Sequence, residues 1–435
     1  MVNTGNSILD AMLNGFTWVP TATPGKAVDV TYSFMTSAPA ADGVVGFQPV
    51  SSSNQAVIQQ ALQTFQDIAN IGFILVPGGG NADIMFGEAN LGVGTHGLTY
   101  LYSASPVNPQ TGLTTYAAAH TYFATNYGVN LFLALHELGN ATGLTDFNSL
   151  SVAQDVALGL PASDANNAYS VMVTNQPVDY VPTINNYPNT PQLLDIQALQ
   201  YLYGANEYGL TEEAGVTSTG LVYRFTAYNT PTCIWVGKKV FGKTTFDFSA
   251  CGPGPVINLS AGSFSSTGVT QIGNPAGEAS GKPFNNISIA YRTVIHSAIG
   301  AGSGDTRFQS GGTGNYSFTG LGTNNTLDYS ADTNGVTINL ATHTVLKDFY
   351  PPLRYFPVPL PFPVPVFWPR RWQDKFTNIQ TFIGNSNASE TIYFSGAASQ
   401  YSVVNNADGS VTVTDTVAGR DGTVNLINIG RLVFK

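Results

Sequence analysis

Charge is scarce in this chain. Only 10% of the 435 residues are Asp, Glu, Lys or Arg, and 26 acidic against 16 basic residues give a formal net charge of −10. An acidic surface repels phosphate groups, so we expect no nucleic acid partner and no anionic membrane partner. The chain has only five histidines, which leaves few candidates for a metal site built on imidazole.

Long apolar runs are missing as well. No segment of about 18 consecutive apolar residues is present, so we expect no transmembrane segment. Residues 1–7 lack the basic start and the apolar core that are typical of a cleavable signal peptide. Export, if it occurs, is therefore expected to use another signal.

Cysteine is limited to Cys233 and Cys251. They flank the predicted strands 234–236 and 245–248, where neighbouring chains can bring two sulfur atoms within bonding reach. We expect a disulfide, with two free thiols as the alternative. Neither cysteine has the sequence context of a nucleophile or of a zinc ligand.

The chain does contain a degenerate zinc-binding pattern, HELGNATGLTD, at residues 136–146. The intact pattern, H-E-x-x-H-x-x-G-x-x-H, places two histidines one helical turn apart and bends the chain at the glycine so that a third ligand closes the site. His136, Glu137 and Gly143 are kept, whereas Asn140 and Asp146 replace the other two histidines. A carboxylate is a competent zinc ligand, but a neutral amide oxygen is a poor one. We therefore expect no zinc or weakly bound zinc, with Glu137 as general base only if the site is active.

Apolar spacing predicts the surrounding elements. Residues 51–70, 131–138 and 193–203 have the helical period, and residues 72–76 and 83–86 are typical of strands. Strand and turn signals dominate after residue 215.

Downstream of Asp146, the sequence Tyr-Ser-Val-Met ending at Met172 resembles the Met-turn of metzincins. Together with residues 82–87, 192–204, 246–249 and 257–264, it is similar to the serralysin family of secreted bacterial metalloproteases. The resemblance covers nearly the whole chain. It implies an α+β metzincin-like domain over residues 1–215 and an all-β parallel β-roll or β-sandwich-like domain over residues 216–435. A tyrosine of the family site is Thr174 here.

The same family carries G-G-x-G-x-D-x-U-x repeats, whose aspartates and backbone carbonyls bind calcium. Residues 300–308 keep the aspartate as Asp305, a residual calcium site. In the next two repeats, Tyr316 and Asn325 take its place. Because calcium needs anionic oxygen ligands, we expect a roll that binds calcium weakly or not at all. An ordinary Gly/Asn-rich loop region is the alternative.

Residues 350–372 depart from the family pattern. Prolines alternate there with apolar residues, which favours an extended arm over a helix or a central strand. Its candidate interaction residues are Tyr355, Phe356, Phe362, Phe367, Trp368 and Trp372. Two interpretations stay open: a loop folded back on the roll, or an arm that docks onto a neighbouring molecule.

Two functions are consistent with these residues. One is a secreted zinc endopeptidase in which Glu137 activates a metal-bound water. The other, which we favour, is a catalytically inactive relative that acts as an extracellular self-assembling or surface-binding protein, because the zinc and calcium patterns are both degenerate. The resemblance further implies type I secretion through an uncleaved carboxy-terminal signal, and residues 408–434 look like that terminal module. We expect an extracellular or cell-surface location.

Overall fold

The computed structural model describes the chain except for residues 1, 3, 147–167, 174–186, 212–214, 219, 227–229, 269–284, 311–313, 350–369 and 388. The described chain is mostly β with few helices. Its helices are α1 (Ser7–Met12), α2 (Ser52–Ile68), α3 (Leu131–Ala141) and α4 (Leu193–Tyr203). Helices α2, α3 and α4 confirm the helices that apolar spacing predicts over residues 51–70, 131–138 and 193–203.

The first part of the chain contains a seven-stranded sheet. Its strands are β1 (Phe16–Thr17), β2 (Val28–Phe34), β3 (Val45–Gln48), β4 (Ile71–Leu75), β5 (Ile84–Asn90), β6 (Gly97–Ser103) and β7 (Thr114–Ala124). Strands β1, β7, β5, β2 and β4 run parallel in that order. Strand β6 runs antiparallel to β7 at the side of the sheet nearest α3.

Helix α2 forms because its sequence supplies both a capping residue and a regularly spaced apolar face. The Ser51 side chain accepts the Asn54 N–H and caps the helix, and the spacing of Ile58, Leu62 and Phe65 gives one buried face. Burial of each such side chain stabilises the fold by roughly 1.5–3 kcal/mol. These side chains join a core that also includes apolar residues of α3 and α4.

The described residues after α4 form two larger sheets and one small one. Its strands are β8 (Gly215–Thr217), β9 (Gly220–Thr226), β10 (Thr232–Ile234), β11 (Lys243–Ala250), β12 (Val256–Asn258), β13 (Phe264–Ser265), β14 (Ile287–Ile289), β15 (Ser297–Ile299), β16 (Arg307–Gln309), β17 (Ser317–Thr319), β18 (Thr326–Asp328), β19 (Val336–Asn339), β20 (Thr344–Phe349), β21 (Arg370–Thr377), β22 (Thr381–Ile383), β23 (Thr391–Tyr393), β24 (Tyr401–Asn405), β25 (Val411–Asp415), β26 (Thr423–Ile427) and β27 (Arg431–Val433). Strands β15 to β18 alternate between the two larger sheets, and each pairs in parallel with the strand one turn further on.

This alternation is a parallel β-roll. The residues at the centre of each turn stack in register, as Phe308 does on Leu327 and Leu327 on Phe382. All three side chains are fully buried between the sheets. The mostly β chain with its parallel sheets is consistent with the predicted fold class.

The roll is interrupted by an antiparallel hairpin of β20 and β21. Trp372 pairs with Lys347 inside this hairpin, so the prediction that the arm extends to residue 372 is wrong. The hydrogen-bond ladder already starts where Phe349 pairs with Arg370. The other predicted arm residues, 350–369, lie outside the described residues.

The cysteine prediction also needs correction. Cys233 and Cys251 are free, buried thiols, and no disulfide joins them. Cys233 belongs to β10 in the small sheet, whereas Cys251 follows β11 in a larger sheet and donates to the carbonyl oxygen of Phe225 at 3.4 Å. Burial raises the pKa of each thiol to about 12, so neither is a ready nucleophile.

Within the described ranges, no helix combines the length and the apolar character needed to cross a bilayer.

Candidate metal centre

Helix α3 carries the degenerate zinc pattern. The Asn130 side chain accepts the Leu133 N–H at its start. Near its end, Gly143 has a φ of 114° and lies against Leu202 and the carbonyl oxygen of Phe16, where a Cβ would not fit. The glycine therefore permits both the turn and its close packing.

His136 is oriented by the Met-turn. Its Nδ1 lies 2.9 Å from the carbonyl oxygen of Val171, so Nδ1 carries a hydrogen and donates it. Its Nε2 faces Asp146, with 3.1 Å between Nε2 and Oδ1. Burial opposes the charged imidazole, but the hydrogen bond to Asp146 and the charges of Glu137 and Asp146 raise the pKa of His136 to about 9. At neutral pH His136 is therefore protonated, and its Nε2–H donates to Asp146 Oδ1.

Asn140 lies one turn beyond His136 on the same helix face. Its Nδ2 donates to Asp146 Oδ1 at 3.1 Å, so this one carboxylate oxygen receives hydrogen bonds from both side chains. Burial raises the pKa of Asp146, but these two hydrogen bonds and the charge of His136 lower it below its usual value. The structure thus brings His136, Asn140 and Asp146 together as a hydrogen-bonded cluster.

Glu137 is buried beside this cluster. Thr99 on β6 donates its hydroxyl to Glu137 Oε2 at 2.7 Å, and the Thr99 Oγ1 lies 3.0 Å from that of Thr121. Gly97 faces the same carboxylate and leaves no room for a Cβ. Burial raises the pKa of Glu137, against the opposing effects of the His136 charge and the Thr99 hydrogen bond. Strand β6 therefore holds this carboxyl group in place.

The Met-turn lies directly beneath the helix. Met172 is fully buried and packs against Gly139, where a Cβ would overlap its sulfur. Asp195 holds the turn: its carboxylate accepts the Ser170 hydroxyl at 2.6 Å and the Val171 N–H at 2.7 Å. Burial raises the pKa of Asp195 to about 6 despite these hydrogen bonds. Asp195 thus positions the carbonyl group that orients His136, whereas Thr174 lies outside the described residues.

Zinc fits this donor set poorly. Zinc sites need at least three strong ligands, and the cluster supplies one imidazole and one carboxylate. The third side chain, Asn140, turns its NH₂ group toward Asp146, and the opposite amide orientation would offer only a neutral oxygen. Among the described residues, no group of three His, Cys, Asp or Glu side chains is arranged to hold a metal ion.

The side-chain amides of Asn325 and Asn378 link turns of the roll by hydrogen bonds to backbone carbonyls. Asn325 is fully buried, and its Nδ2 donates to the carbonyl oxygens of Gly322 at 3.0 Å and Asn378 at 2.9 Å. Asn378 donates in turn to Gly320 and Gly322. Backbone carbonyls of adjacent turns thus receive N–H donors. Asp305, the predicted residual calcium ligand, is exposed.

Sequence reasoning missed the residues that support the cluster. Thr99 is an ordinary strand residue, and no local pattern links it to a helix 38 positions away. Asp195 lies within residues 192–204, a stretch that resembles the serralysin family. Its position as the third residue of α4 was a usable signal for a capping role.

Comparisons relate the chain to known metallopeptidases. It is 27% identical over 300 residues to a serralysin of Photorhabdus sp. (strain Az29), a match that covers 64% of this chain and 58% of that protein. It is 28% identical over 299 residues to the metallopeptidase AprA of Pseudomonas marginalis, covering 64% and 59%. It is 29% identical over 313 residues to serralysin B of Dickeya chrysanthemi, covering 66% and 60%. No family model matches the chain. The chain thus spans less than two thirds of the length of these relatives.

Proposed function

Because this chain is serralysin-like, we propose that it is an extracellular relative of the metallopeptidases that binds partners and does not cleave peptides. The observation that carries the proposal is the Asp146 carboxylate oxygen, which accepts hydrogen bonds from both His136 and Asn140. In this cluster the Asp146 carboxylate accepts hydrogen bonds from the His136 imidazole and the Asn140 amide, where a peptidase would have bonds from ligands to the metal. Glu137 and the Met-turn then serve the packing of the domain.

A zinc endopeptidase is the second candidate, and the names of the relatives favour it. His136 is oriented by a backbone carbonyl, as metal-binding histidines usually are, and the buried Glu137 is kept beside it. What argues against this candidate is the lack of a third strong ligand.

Metal content and proteolysis separate the two candidates. After equilibration with excess zinc and removal of unbound metal, we expect clearly less than one zinc per chain by elemental analysis, and no cleavage of casein or gelatin. The matched control is Glu137→Gln, which shows whether any trace cleavage belongs to this site. One zinc per chain, together with chelator-sensitive cleavage that disappears in Glu137→Gln, would establish the peptidase instead.

Calcium removal gives an independent test of the roll. Because the buried Asn325 amide closes adjacent turns, a calcium chelator is expected to shift the melting temperature by less than about 2 °C. Differential scanning calorimetry with and without the chelator measures the shift, and Asp305→Asn is the matched variant at the residual site. A fall of about 10 °C or more in the parent that Asp305→Asn abolishes would show that the roll depends on calcium.

Self-association through the arm is part of the same proposal. Its support is the sequence of residues 350–369, which combines prolines with large aromatic side chains. Phe349 pairs with Arg370, so an Asn-Gly turn in place of residues 350–369 should close the hairpin without disturbing its register. We expect the parent chain to sediment as oligomers and the shortened chain as a monomer with an unchanged melting temperature. Identical sedimentation of both chains would remove the arm from the proposal.

A further inference from the structure

Three loops meet at one surface whose side chains differ in charge from the acidic chain as a whole. They are residues 206–209, residues 237–242 between β10 and β11, and residues 291–294 between β14 and β15. Glu207 joins them: its backbone oxygen accepts the Lys239 N–H at 2.8 Å, and its side chain accepts the Lys238 N–H at 3.1 Å. The same side chain forms an ion pair with Arg292, with 2.5 Å between Oε1 and Nη2. The loops are thus held as a single surface.

This surface concentrates cations. It carries Lys238, Lys239 and Arg292, and Lys243 follows the second loop directly at the start of β11; all four are exposed, in a chain with 16 basic residues in total. Among the described residues, the carboxylates beside them are Glu207, which Arg292 neutralises, and Asp67, whose backbone lies against Gly209. The balance of these described groups is therefore positive, although the whole chain has a net charge of −10.

The same surface presents large apolar side chains to water. Phe241 is 95% exposed and Tyr208 is 71% exposed, and Tyr291 and Val294, which neighbour Arg292 in the chain, are exposed as well. Lys239 Nζ lies 3.0 Å from the hydroxyl of Tyr208 and 4.5 Å from the centre of its ring, which couples a cation to an aromatic side chain. Exposed aromatic residues surrounded by cations are typical of an interaction site.

One backbone position of the surface is held in a costly conformation. Arg292 has a φ of 73°, in the left-handed region that non-glycine residues rarely adopt. Its ion pair with Glu207 helps to hold this conformation. Gly242, with a φ of 92°, makes the turn that leaves Phe241 projecting from the loop. Strain of this kind, with no stabilising burial of Phe241, points to a functional surface.

We propose that the surface formed by Tyr208, Lys238, Lys239, Phe241, Lys243 and Arg292 docks the protein onto an anionic lipid bilayer. Cations near such a bilayer are attracted by its surface potential, and aromatic side chains insert at the level of the headgroups. A soluble anionic polymer would satisfy the cations alone, whereas a bilayer also buries Phe241. The proposal replaces the expectation from net charge that anionic membranes are excluded. It does not depend on the metal centre, which lies on other elements.

The experiment is cosedimentation of the full chain with vesicles. One set of vesicles is phosphatidylcholine alone, and the other contains about one third phosphatidylserine. We expect binding to the anionic vesicles only, and weaker binding at high salt because salt screens the cations. Lys238→Ser with Lys243→Ser should weaken binding by about 25-fold, since each cation contributes about 5-fold. Phe241→Ser should weaken it by about 10-fold or more.

The matched controls remove two exposed cations and one exposed apolar side chain elsewhere on the chain. Lys26→Ser with Lys435→Ser removes two exposed cations, and Val93→Ser removes an exposed apolar side chain; both should bind like the parent. The proposal is overturned if anionic vesicles do not bind the parent or if the two lysine pairs weaken binding equally. Binding to polygalacturonate but not to vesicles would assign the surface to an acidic polymer and would likewise overturn it. Because every changed side chain is exposed, the melting temperature should stay that of the parent, and Phe241→Ser tests the surface without changing its charge.

Discussion

Asp374→Ala is expected to lower the free energy of unfolding by about 3–5 kcal/mol, because it leaves a buried ammonium group without its carboxylate. Lys347 on β20 and Asp374 on β21 are only 1% and 0% exposed, with 3.0 Å between Nζ and Oδ2. Ser310 and Tyr329 donate their hydroxyls to the same Oδ2, at 2.8 Å and 2.9 Å. The Lys347 ammonium also lies 4.7 Å from the centre of the Tyr316 ring. Chemical denaturation followed by circular dichroism measures the loss.

Two matched variants show that the unpaired charge is the cause. Lys347→Met with Asp374→Asn removes both charges but keeps an acceptor for the hydroxyl donors, so we expect it to regain most of the lost stability. Glu207→Gln breaks an ion pair whose side chains are 26% and 47% exposed, and we expect a loss of about 1 kcal/mol or less. A loss of that small size for Asp374→Ala would contradict the prediction, as would a double variant that is no more stable than the single one.

This buried pair shows where the sequence is informative and where it is not. Helix α2 was predictable because Ile58, Leu62 and Phe65 follow a local period that determines their burial. Lys347 and Asp374 have no such period. They meet because β20 and β21 pair on either side of the arm, and the register of that pairing depends on tertiary contacts.

The Tyr316 position links the pair to the degenerate repeats. Tyr316 stands where the repeat pattern has aspartate, and its backbone N–H donates to Asp374 Oδ1 at 2.9 Å. The sequence predicted the loss of a calcium ligand there. It gave no indication that a carboxylate from a distant strand, paired with an internal lysine, would occupy the same part of the roll. A contact of this kind between distant residues is recognisable only once the turns are stacked.

The proposed docking surface differs from the expectation set by net charge for a related reason. A total of −10 averages over the whole chain, whereas a partner meets one surface. Lys238, Lys239 and Arg292 come together because Glu207 joins loops from different parts of the sequence. The zinc pattern is different, since His136 and Asn140 share a helix face by spacing alone and Asp146 follows one tight turn later. That part of the candidate site was predictable from the sequence, whereas the contact of Thr99 with Glu137 was not.

Asn140→His is expected to raise zinc affinity by at least about 100-fold. The new imidazole would lie one turn from His136 on the face where Asn140 now donates to Asp146, and would supply the missing third strong ligand. Even the hydrogen-bond partners of metal ligands are worth about 10- to 100-fold in affinity, so a direct ligand should contribute no less. Competition with a chromophoric chelator measures the affinity, and the absorption spectrum of the cobalt-substituted protein reports whether the site is tetrahedral.

The control for this restoration is Asn140→Leu, which removes the amide and adds no ligand, and we expect no gain in zinc affinity from it. Peptidase activity is not expected to follow automatically in Asn140→His, because Thr174 stands where the family has a tyrosine. An unchanged affinity in a variant that melts like the parent would show that His136 and Asp146 are not placed to share a metal with residue 140. A parent chain that already binds zinc as tightly as Asn140→His would show instead that the hydrogen-bonded cluster yields readily to the metal, and the proposal of a non-catalytic function would then lose its structural basis.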